Sequence, residues 1–147
     1  MNTCIWSNIN DAPNFSHCLV QQIVEAKIVS VYDGDSVKAI FPFNNVMYKW
    51  NCRLSGIDTP EVRTSNQLEK KYGYFVRNKL RNKILNKVVT LKCGTFDKYG
   101  RLLIELIIDD TNINKWLIDN SYAFPYNGGK KQSWSEYLEI NNINIEL

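Results

Sequence analysis

Apolar residues alternate with polar residues in several short segments of the chain, and this period of two predicts β-strands. The segment 22–32 alternates apolar and charged positions and then shifts phase after Ile28, which indicates a bulged, strongly curved strand. Segments 36–41, 46–57, 87–93 and 101–108 have the same strand character. The intervening "DGDS" and "PFNN" predict tight turns between the first three strands.

A period of three to four residues replaces this alternation after the third strand and predicts a helix. Its apolar positions are Leu68, Tyr72, Phe75, Val76, Leu80 and Ile84. Thr64 and Gln67 have the spacing of a capping box for this helix. A second helix fits residues 111–120, and Ser133 with Glu136 predicts the cap of a third that begins at Trp134.

This order of elements predicts an α+β domain: a five-stranded Greek-key β-barrel of the OB type with three α-helices. With 147 residues, of which 44% are hydrophobic, the chain can bury the core of one compact domain. We assign that domain to residues 22–147. Residues 1–21 contain scattered apolar positions among Asn, Ser and Pro, and we expect them to form an irregular N-terminal arm.

The composition limits the cellular compartments and the kinds of site that we expect. No apolar run reaches membrane length and the first residues lack a basic, then apolar leader, so we expect a soluble intracellular protein without membrane partners. Cys4, His17 and Cys18 suggest a zinc site, but they lack paired CxxC spacing and a fourth ligand. Reduced structural cysteines are the better interpretation, and a single histidine argues against a histidine-activated nucleophile.

The charge is distributed unevenly around a net value of +3. Residues 62–101 contain eleven basic and two acidic residues, whereas the segments before and after them are net acidic. Such a segment is a candidate surface for a polyanion. The alternative is that this segment forms a helix whose solvated face is basic.

Three polar motifs lie where predicted strands begin or end: "DGDS" (33–36), "RLSGIDTPE" (53–61) and "DKYGR" (97–101). Asp35 and Asp58 offer hard oxygen ligands from neighbouring strands, which suit calcium and, with stricter geometry, magnesium. The planar guanidinium groups of Arg53 and Arg101 can each bind two phosphate oxygens.

Two residues of the second motif, Gly56 and Pro60, are expected to change the direction of its backbone and so of its side chains. Gly56 predicts a bend, because a regular strand would place Arg53 and Asp58 on opposite faces. Pro60 restricts Thr59 to an extended conformation and fixes the exit of the chain. We therefore expect Glu61 to lie at the same end of the barrel as Arg53 and Asp58.

Taken together, these three motifs in this order resemble those of the thermonuclease (staphylococcal nuclease-like) family. The resemblance runs from about Val24 to the third predicted helix. It implies an OB-type barrel and a metal-dependent nuclease.

The resemblance also implies roles for individual residues. Asp35, Asp58 and the backbone carbonyl of Thr59 correspond to metal ligands, supported by Asp33, and Ser36 retains the hydroxyl of the family threonine. The catalytic residues implied are Arg53, Arg101 and Glu61. Lys98, Tyr99 and Tyr126 correspond to residues beside the bound nucleotide.

The function predicted is calcium-dependent hydrolysis of phosphodiester bonds in DNA, RNA or both, with low sequence specificity. Basic and aromatic residues suit single strands or frayed ends, and we expect a monomer. One alternative is a non-catalytic module that binds single-stranded nucleic acid. Another is a protein-interaction domain that presents the basic helix to an acidic partner.

Overall fold

The computed structural model describes residues 3–143 of the chain, with side chains from residue 6 onward. Among these residues no helix has the length and apolar character needed to cross a membrane. The elements in chain order are α1 (Thr3–Asn8), a 3-10 helix (Phe15–His17), β1 (Ile23–Val31), β2 (Ser36–Phe43), β3 (Val46–Leu54), β4 (Ile57–Asp58), α2 (Gln67–Ile84), β5 (Val88–Phe96), β6 (Leu102–Ile108), β7 (Thr111–Asn112), α3 (Ile113–Asp119), β8 (Phe124–Pro125) and α4 (Trp134–Ile140).

Five long strands form a closed barrel, which confirms the predicted architecture. Neighbouring strands pair antiparallel in the order β3-β2-β1-β5-β6, and a parallel pairing between β3 and β6 closes the barrel. Alternate side chains point inward, as a closed sheet with one buried face requires. The core includes Ile28, Phe41, Leu54, Leu91, Ile104 and Leu106.

The phase shift predicted in the first strand is a β-bulge. The register of β1 against β2 shifts between Ile28 and Ser30. Residues 23–27 of β1 pair with β5, whereas residues 27–31 pair with β2. The bulge lies beyond this change of partner and increases the local twist of the strand.

Helix α2 covers one side of the barrel and begins later than its predicted cap. Tyr72, Val76 and Leu80 are buried at four-residue spacing. The N-cap is Asn66, whose side chain accepts a hydrogen bond from the amide of Glu69, so the predicted Thr64 cap is wrong. Asn caps a helix as well as Thr does, and Thr64 instead accepts a bond from the amide of Asn66 at 3.3 Å.

The other two predicted helices are also present. Asn112 caps α3, and Ser133 caps α4 by accepting a hydrogen bond from the amide of Glu136 at 3.3 Å. The Ser133 cap was predicted from the sequence and is confirmed.

The N-terminal segment is more regular than predicted. Residues 1–21 were expected to be irregular, but the described part contains α1 and the 3-10 helix. Leu19 is buried, and the amide of Gln21 donates to the carbonyl of Cys93 at 3.0 Å. The end of this segment therefore packs on β5, while the division of the chain at residue 22 stays a prediction.

A buried amide in α3 reinforces the closure of the barrel. The Asn114 side chain accepts a hydrogen bond from the amide of Leu106 at 3.1 Å. Its Nδ2 donates to the carbonyls of Ser55 at 2.9 Å and Ile104 at 3.0 Å. Asn114 thus ties α3 to β6 and to the turn that follows β3.

Replacing Asn114 with alanine should lower the free energy of unfolding by about 3 kcal/mol, because three buried backbone groups lose their partner. Urea unfolding followed by tryptophan fluorescence measures this change. Asn51→Ala removes the same amide from an exposed position of β3 and should change stability by less than about 0.5 kcal/mol. Equal stability of the two variants would contradict the role assigned to Asn114.

Candidate active site

The three polar motifs converge on one cavity of about 420 Å³. The topology explains this convergence, because Ser36 at the start of β2 pairs with Arg53 near the end of β3. Arg53 also lies opposite Leu103 of β6 in the parallel pairing. Arg101 directly precedes β6, so this pairing brings it close to Arg53. The residues lining the cavity are Tyr32, Asp33, Asp35, Ser36, Arg53, Glu61, Arg63, Arg101 and Lys131.

Asp35 is fixed at the centre of this cavity. Its carbonyl accepts a hydrogen bond from the amide of Leu54 at 2.8 Å, and its amide donates to the Asp33 carboxylate at 3.1 Å. Its own carboxylate accepts bonds from the hydroxyl of Ser36 at 3.2 Å and from Nη2 of Arg53 at 3.3 Å. Asp33 and Ser36, the two residues predicted to support Asp35, therefore both contact it.

The Asp35 carboxyl lies in surroundings that oppose its negative charge. Only 7% of the residue is exposed. Burial raises the pKa of Asp35 to about 7, the Asp33 charge acts in the same direction, and Arg53 opposes it. Burial thus outweighs the favourable charge of Arg53 at Asp35, and a carboxyl with such a raised pKa is a feature found at many functional sites.

The two arginines are held by different partners. Nη2 of Arg53 donates to the carbonyl of Ile57 at 3.1 Å as well as to Asp35. Nε of Arg101 donates to the Asp97 carboxylate at 2.8 Å. Asp97 also accepts bonds from the amides of Tyr99 and Arg101, each at 2.9 Å. The "DKYGR" turn therefore orients Arg101 through its own first residue.

Glu61 lies exposed at the mouth of the cavity. Partial desolvation raises its pKa, as do the charges of Asp35 and Asp58, whereas Lys131 lowers it. The amide of Glu61 donates to the Glu69 carboxylate at 2.9 Å and so joins this loop to the start of α2. The Glu61 carboxyl is therefore close enough to Asp35 and Asp58, the two predicted metal ligands, for their charges to act on it.

Asp58 and Thr59 follow the bend at Gly56, as the sequence predicted. Gly56 has a φ of 76°, in the left-handed region that favours glycine. Asp58 is only 4% exposed, and Thr59 is buried as well. Oγ1 of Thr59 is buried and has no hydrogen-bond partner among the described residues.

The residues Asp35, Asp58 and Thr59 fit a hard divalent cation in chemical type, because they offer two carboxylates and a backbone carbonyl as oxygen ligands and all three are buried. No group of three or more His, Cys, Asp or Glu side chains that could hold a metal occurs within residues 6–143. A set of two carboxylates and a backbone carbonyl would not form such a group. The Cys4 side chain of the rejected zinc alternative lies outside the described residues.

Lys131 completes the cavity and was missed by sequence reasoning. Its Nζ lies 3.2 Å from Oδ1 of Asp58. Burial lowers the pKa of Lys131, but the charge and hydrogen bond of Asp58 outweigh this effect and raise it. The only signal in the sequence is a lysine pair after a double glycine, which does not indicate a partner 73 residues earlier.

The predicted nucleotide-binding residues line an adjoining cavity of about 670 Å³. Lys98, Tyr99 and Tyr126 are among its lining residues, and it shares Arg53 and Arg101 with the central cavity. The amide of Tyr126 donates to the carbonyl of Gly56 at 2.9 Å. The structure therefore brings all three residues beside the arginines.

Two glycines allow the loop that contains Thr59 and Glu61 to pack closely. A Cβ at Gly73 in α2 would lie 2.6 Å from the carbonyl oxygen of Glu61. A Cβ at Gly34 would lie 2.8 Å from Cβ of Thr59. A glycine within a helical pattern signals such a close approach, and this signal was available from the sequence.

Comparison with known proteins assigns the chain to a family. A family model described as staphylococcal nuclease homologue matches residues 51–144. An uncharacterized protein from Methanocaldococcus jannaschii is 31% identical, over 68% of this chain and 58% of that protein. An uncharacterized endonuclease from Escherichia coli O157:H7 is 26% identical, over 70% of this chain and 61% of that protein. The chain thus spans about three fifths of these relatives' length.

Replacing Gly73 with alanine should lower the free energy of unfolding by about 1–3 kcal/mol. Alanine favours a helix more than glycine by about 1 kcal/mol, but the added methyl group would collide with the Glu61 backbone. Gly129→Ala is the matched control, since no atom lies within 4 Å of its added Cβ. If Gly73→Ala is more stable than the wild type in urea, the loop around Glu61 can move away from the added methyl group, and the close contact does not require glycine.

Proposed function

We propose, on the premise that this chain belongs to the family of staphylococcal nuclease homologues, that it hydrolyses phosphodiester bonds of DNA, RNA or both with low sequence specificity. The observation that supports this proposal is the single cavity lined by Arg53, Arg101, Glu61 and Asp35. Two guanidinium groups offer binding to a phosphate, and the carboxylates offer binding to a cation and to water. The cavity and the family agree on the same reaction class.

Arg53 and Arg101 would hold the oxygens of the scissile phosphate. Arg53 is largely buried and bonded to the Ile57 carbonyl, and Arg101 is held by Asp97, so both are oriented before substrate binds. Such pre-oriented cations stabilise charge that develops in the transition state, and each can contribute about 10³-fold to turnover. Lysine would not reproduce the planar, two-point contact.

Glu61 would orient or deprotonate the attacking water. Its raised pKa brings the carboxylate closer to the range in which a general base acts at neutral pH. It lies at the open mouth of the cavity, where water has access. The hydrogen bond from its amide to Glu69 holds the backbone, while the side chain remains available for this role.

We further propose that Asp35, Asp58 and the backbone carbonyl of Thr59 would hold calcium, with Asp33 and Ser36 orienting Asp35. When bound, calcium would neutralise charge on the phosphate and favour ionisation of water. Magnesium is the weaker candidate, because it demands near-ideal octahedral geometry. A dication would stabilise the buried Asp35 and Asp58 carboxylates, whose charges both act on Glu61.

Lys98, Tyr99 and Tyr126 would bind the nucleotide next to the scissile bond. They line the cavity that also contains both arginines. Tyrosine rings can stack on any base, and a lysine adds attraction for phosphate, so this arrangement suits single strands or frayed ends.

Glu61→Gln should reduce the cleavage rate by about 10²–10⁴-fold with little loss of binding, because it removes the base but keeps the size of the side chain. The assay follows purified protein with labelled single-stranded DNA and RNA in calcium, in magnesium and in chelator. Glu25→Gln, at an exposed position of β1, is the matched control and should cleave like the wild type.

The same assay tests the alternative of a non-catalytic binding module. Strand binding without metal-dependent cleavage by the wild type would establish that alternative. Full activity of Glu61→Gln would instead overturn only the role of Glu61.

Lys131→Gln should strengthen calcium binding about tenfold, because a cation 3.2 Å from Asp58 competes with the divalent ion for the same carboxylate. Isothermal titration calorimetry of calcium binding, without nucleic acid, measures this change. Lys130→Gln removes the neighbouring exposed charge and should have a much smaller effect. Unchanged or weaker binding by Lys131→Gln would contradict the competition.

A further inference from the structure

A basic groove of about 620 Å³ adjoins the central cavity and has no role in the function proposed so far. It shares two lining residues with that cavity, Tyr32 and Arg63. The rest of its lining comes from the end of β1, from the loop 62–65 and from one face of α2. The groove is therefore a continuation of the candidate active site on the side away from Tyr99 and Tyr126.

The charge of the groove is uniform in sign. Its charged lining residues are Arg63, Lys70, Arg77 and Arg81, with no Asp or Glu among its lining residues. None of the four forms a salt bridge within 4 Å among the described residues. A concentration of cations without local anions raises the potential of a concave surface for a polyanion.

Two of these cations are held in place. Nε of Arg81 donates to the carbonyl of Val31 at 3.2 Å. The Arg77 guanidinium lies over the Tyr74 ring at 4.5 Å, and its Nε is buried without a hydrogen-bond partner in the described part of the chain. Burial and the nearby Arg81 charge lower the pKa of Arg77, so an anion in the groove would stabilise its charged form.

Aromatic side chains accompany these cations. Tyr32 is 52% exposed at the junction with the central cavity, and Tyr74 is half-buried on α2. Cations together with an exposed ring such as Tyr32 are the arrangement by which proteins bind single strands without reading their sequence. A small anion would use the cations only, whereas an extended strand would use both.

We propose that this groove binds the sugar-phosphate backbone of a single strand beyond the scissile phosphate, with Lys70 and Arg77 contacting phosphates. This inference rests on the proposed function, because the strand would enter the groove from the central cavity past Arg63 and Tyr32. The cavity with Tyr99 and Tyr126 holds the strand on the other side of the arginines. A strand that is bound on both sides of the scissile phosphate would be cut at an internal bond.

The test compares Lys70→Gln/Arg77→Gln with Lys71→Gln/Lys79→Gln. Both pairs lie on α2 and remove two positive charges, but Lys71 and Lys79 are exposed and do not line the groove. Fluorescence anisotropy in chelator measures the affinity for labelled oligothymidylates of 16 and 4 nucleotides across a salt series. Thermal unfolding verifies that each variant is folded.

The groove variant should bind the 16-mer about tenfold more weakly than the control pair, and its salt slope should fall by about 1.4, since each single-strand phosphate contact contributes about 0.7. Binding of the 4-mer, which we expect to occupy the two cavities around the arginines rather than the groove, should change much less. The conservative Lys70→Arg/Arg77→Lys variant should retain the wild-type slope. Equal 16-mer affinity in the groove and control variants, or an equal loss for both oligonucleotides, would overturn the proposal.

Cleavage of the 16-mer in calcium separates this inference from the proposed function. If the wild type does not cleave but the groove variant shows the selective loss of affinity, the nuclease proposal fails and the groove stands. If the wild type cleaves and the groove variant binds like the control, only the groove is rejected.

Discussion

The parallel pairing of β3 with β6 is the constraint on which the site depends. Along most of its length β3 pairs only with β2, but its last three residues also pair with β6, with Cys52 opposite Leu102 and Leu54 opposite Ile104. Arg53 lies between these pairs and is also opposite Ser36, so closure places it between the first and third motifs. An open sheet of the same strands would leave those motifs on opposite edges.

The closure is reinforced where it meets the site. The amide and hydroxyl of Ser55 both donate to the carbonyl of Ile104, at 2.9 and 3.1 Å. Asn114 donates to the carbonyls of both residues. The bend at Gly56 follows directly, so the segment that turns Asp58 towards the cavity starts from a point fixed by four hydrogen bonds. Precise placement of a functional side chain requires such rigid support.

The sequence predicted which polar residues come together better than it predicted the contacts that hold them. Strand periodicity and turn residues were sufficient for the barrel, and the predicted site residues lie in or beside two adjoining cavities. The Thr64 cap failed because Asn66 serves equally well two residues later, and local pattern does not rank such neighbours. Lys131 could not be found, because its contact with Asp58 depends on how the segment after β8 folds back.

The basic middle third of the chain illustrates what tertiary structure adds to a charge count. The sequence left open whether these residues form a polyanion surface or merely a solvated helix face. In the structure α2 divides them: Lys70, Arg77 and Arg81 line the groove, whereas the Lys79 ammonium lies 5.4 Å from the Phe75 ring centre. Lys83 similarly lies 4.7 Å from the centre of the Trp116 ring.

The groove cations and the other α2 cations differ in the surface that they face. Lys79 and Lys83 lie over the rings of Phe75 and Trp116 outside the groove, whereas Arg77, which also lies over a ring, lines the groove. The groove lysine and arginines line a concavity without carboxylates, and this concavity adjoins a cavity in which Asp33 and Asp35 are buried and Asp35 is paired with Arg53. Burial thus keeps the acids Asp33 and Asp35 apart from solvent, while the groove cations remain at the surface, and this separation of the two charge signs is what would favour a polyanion at the groove.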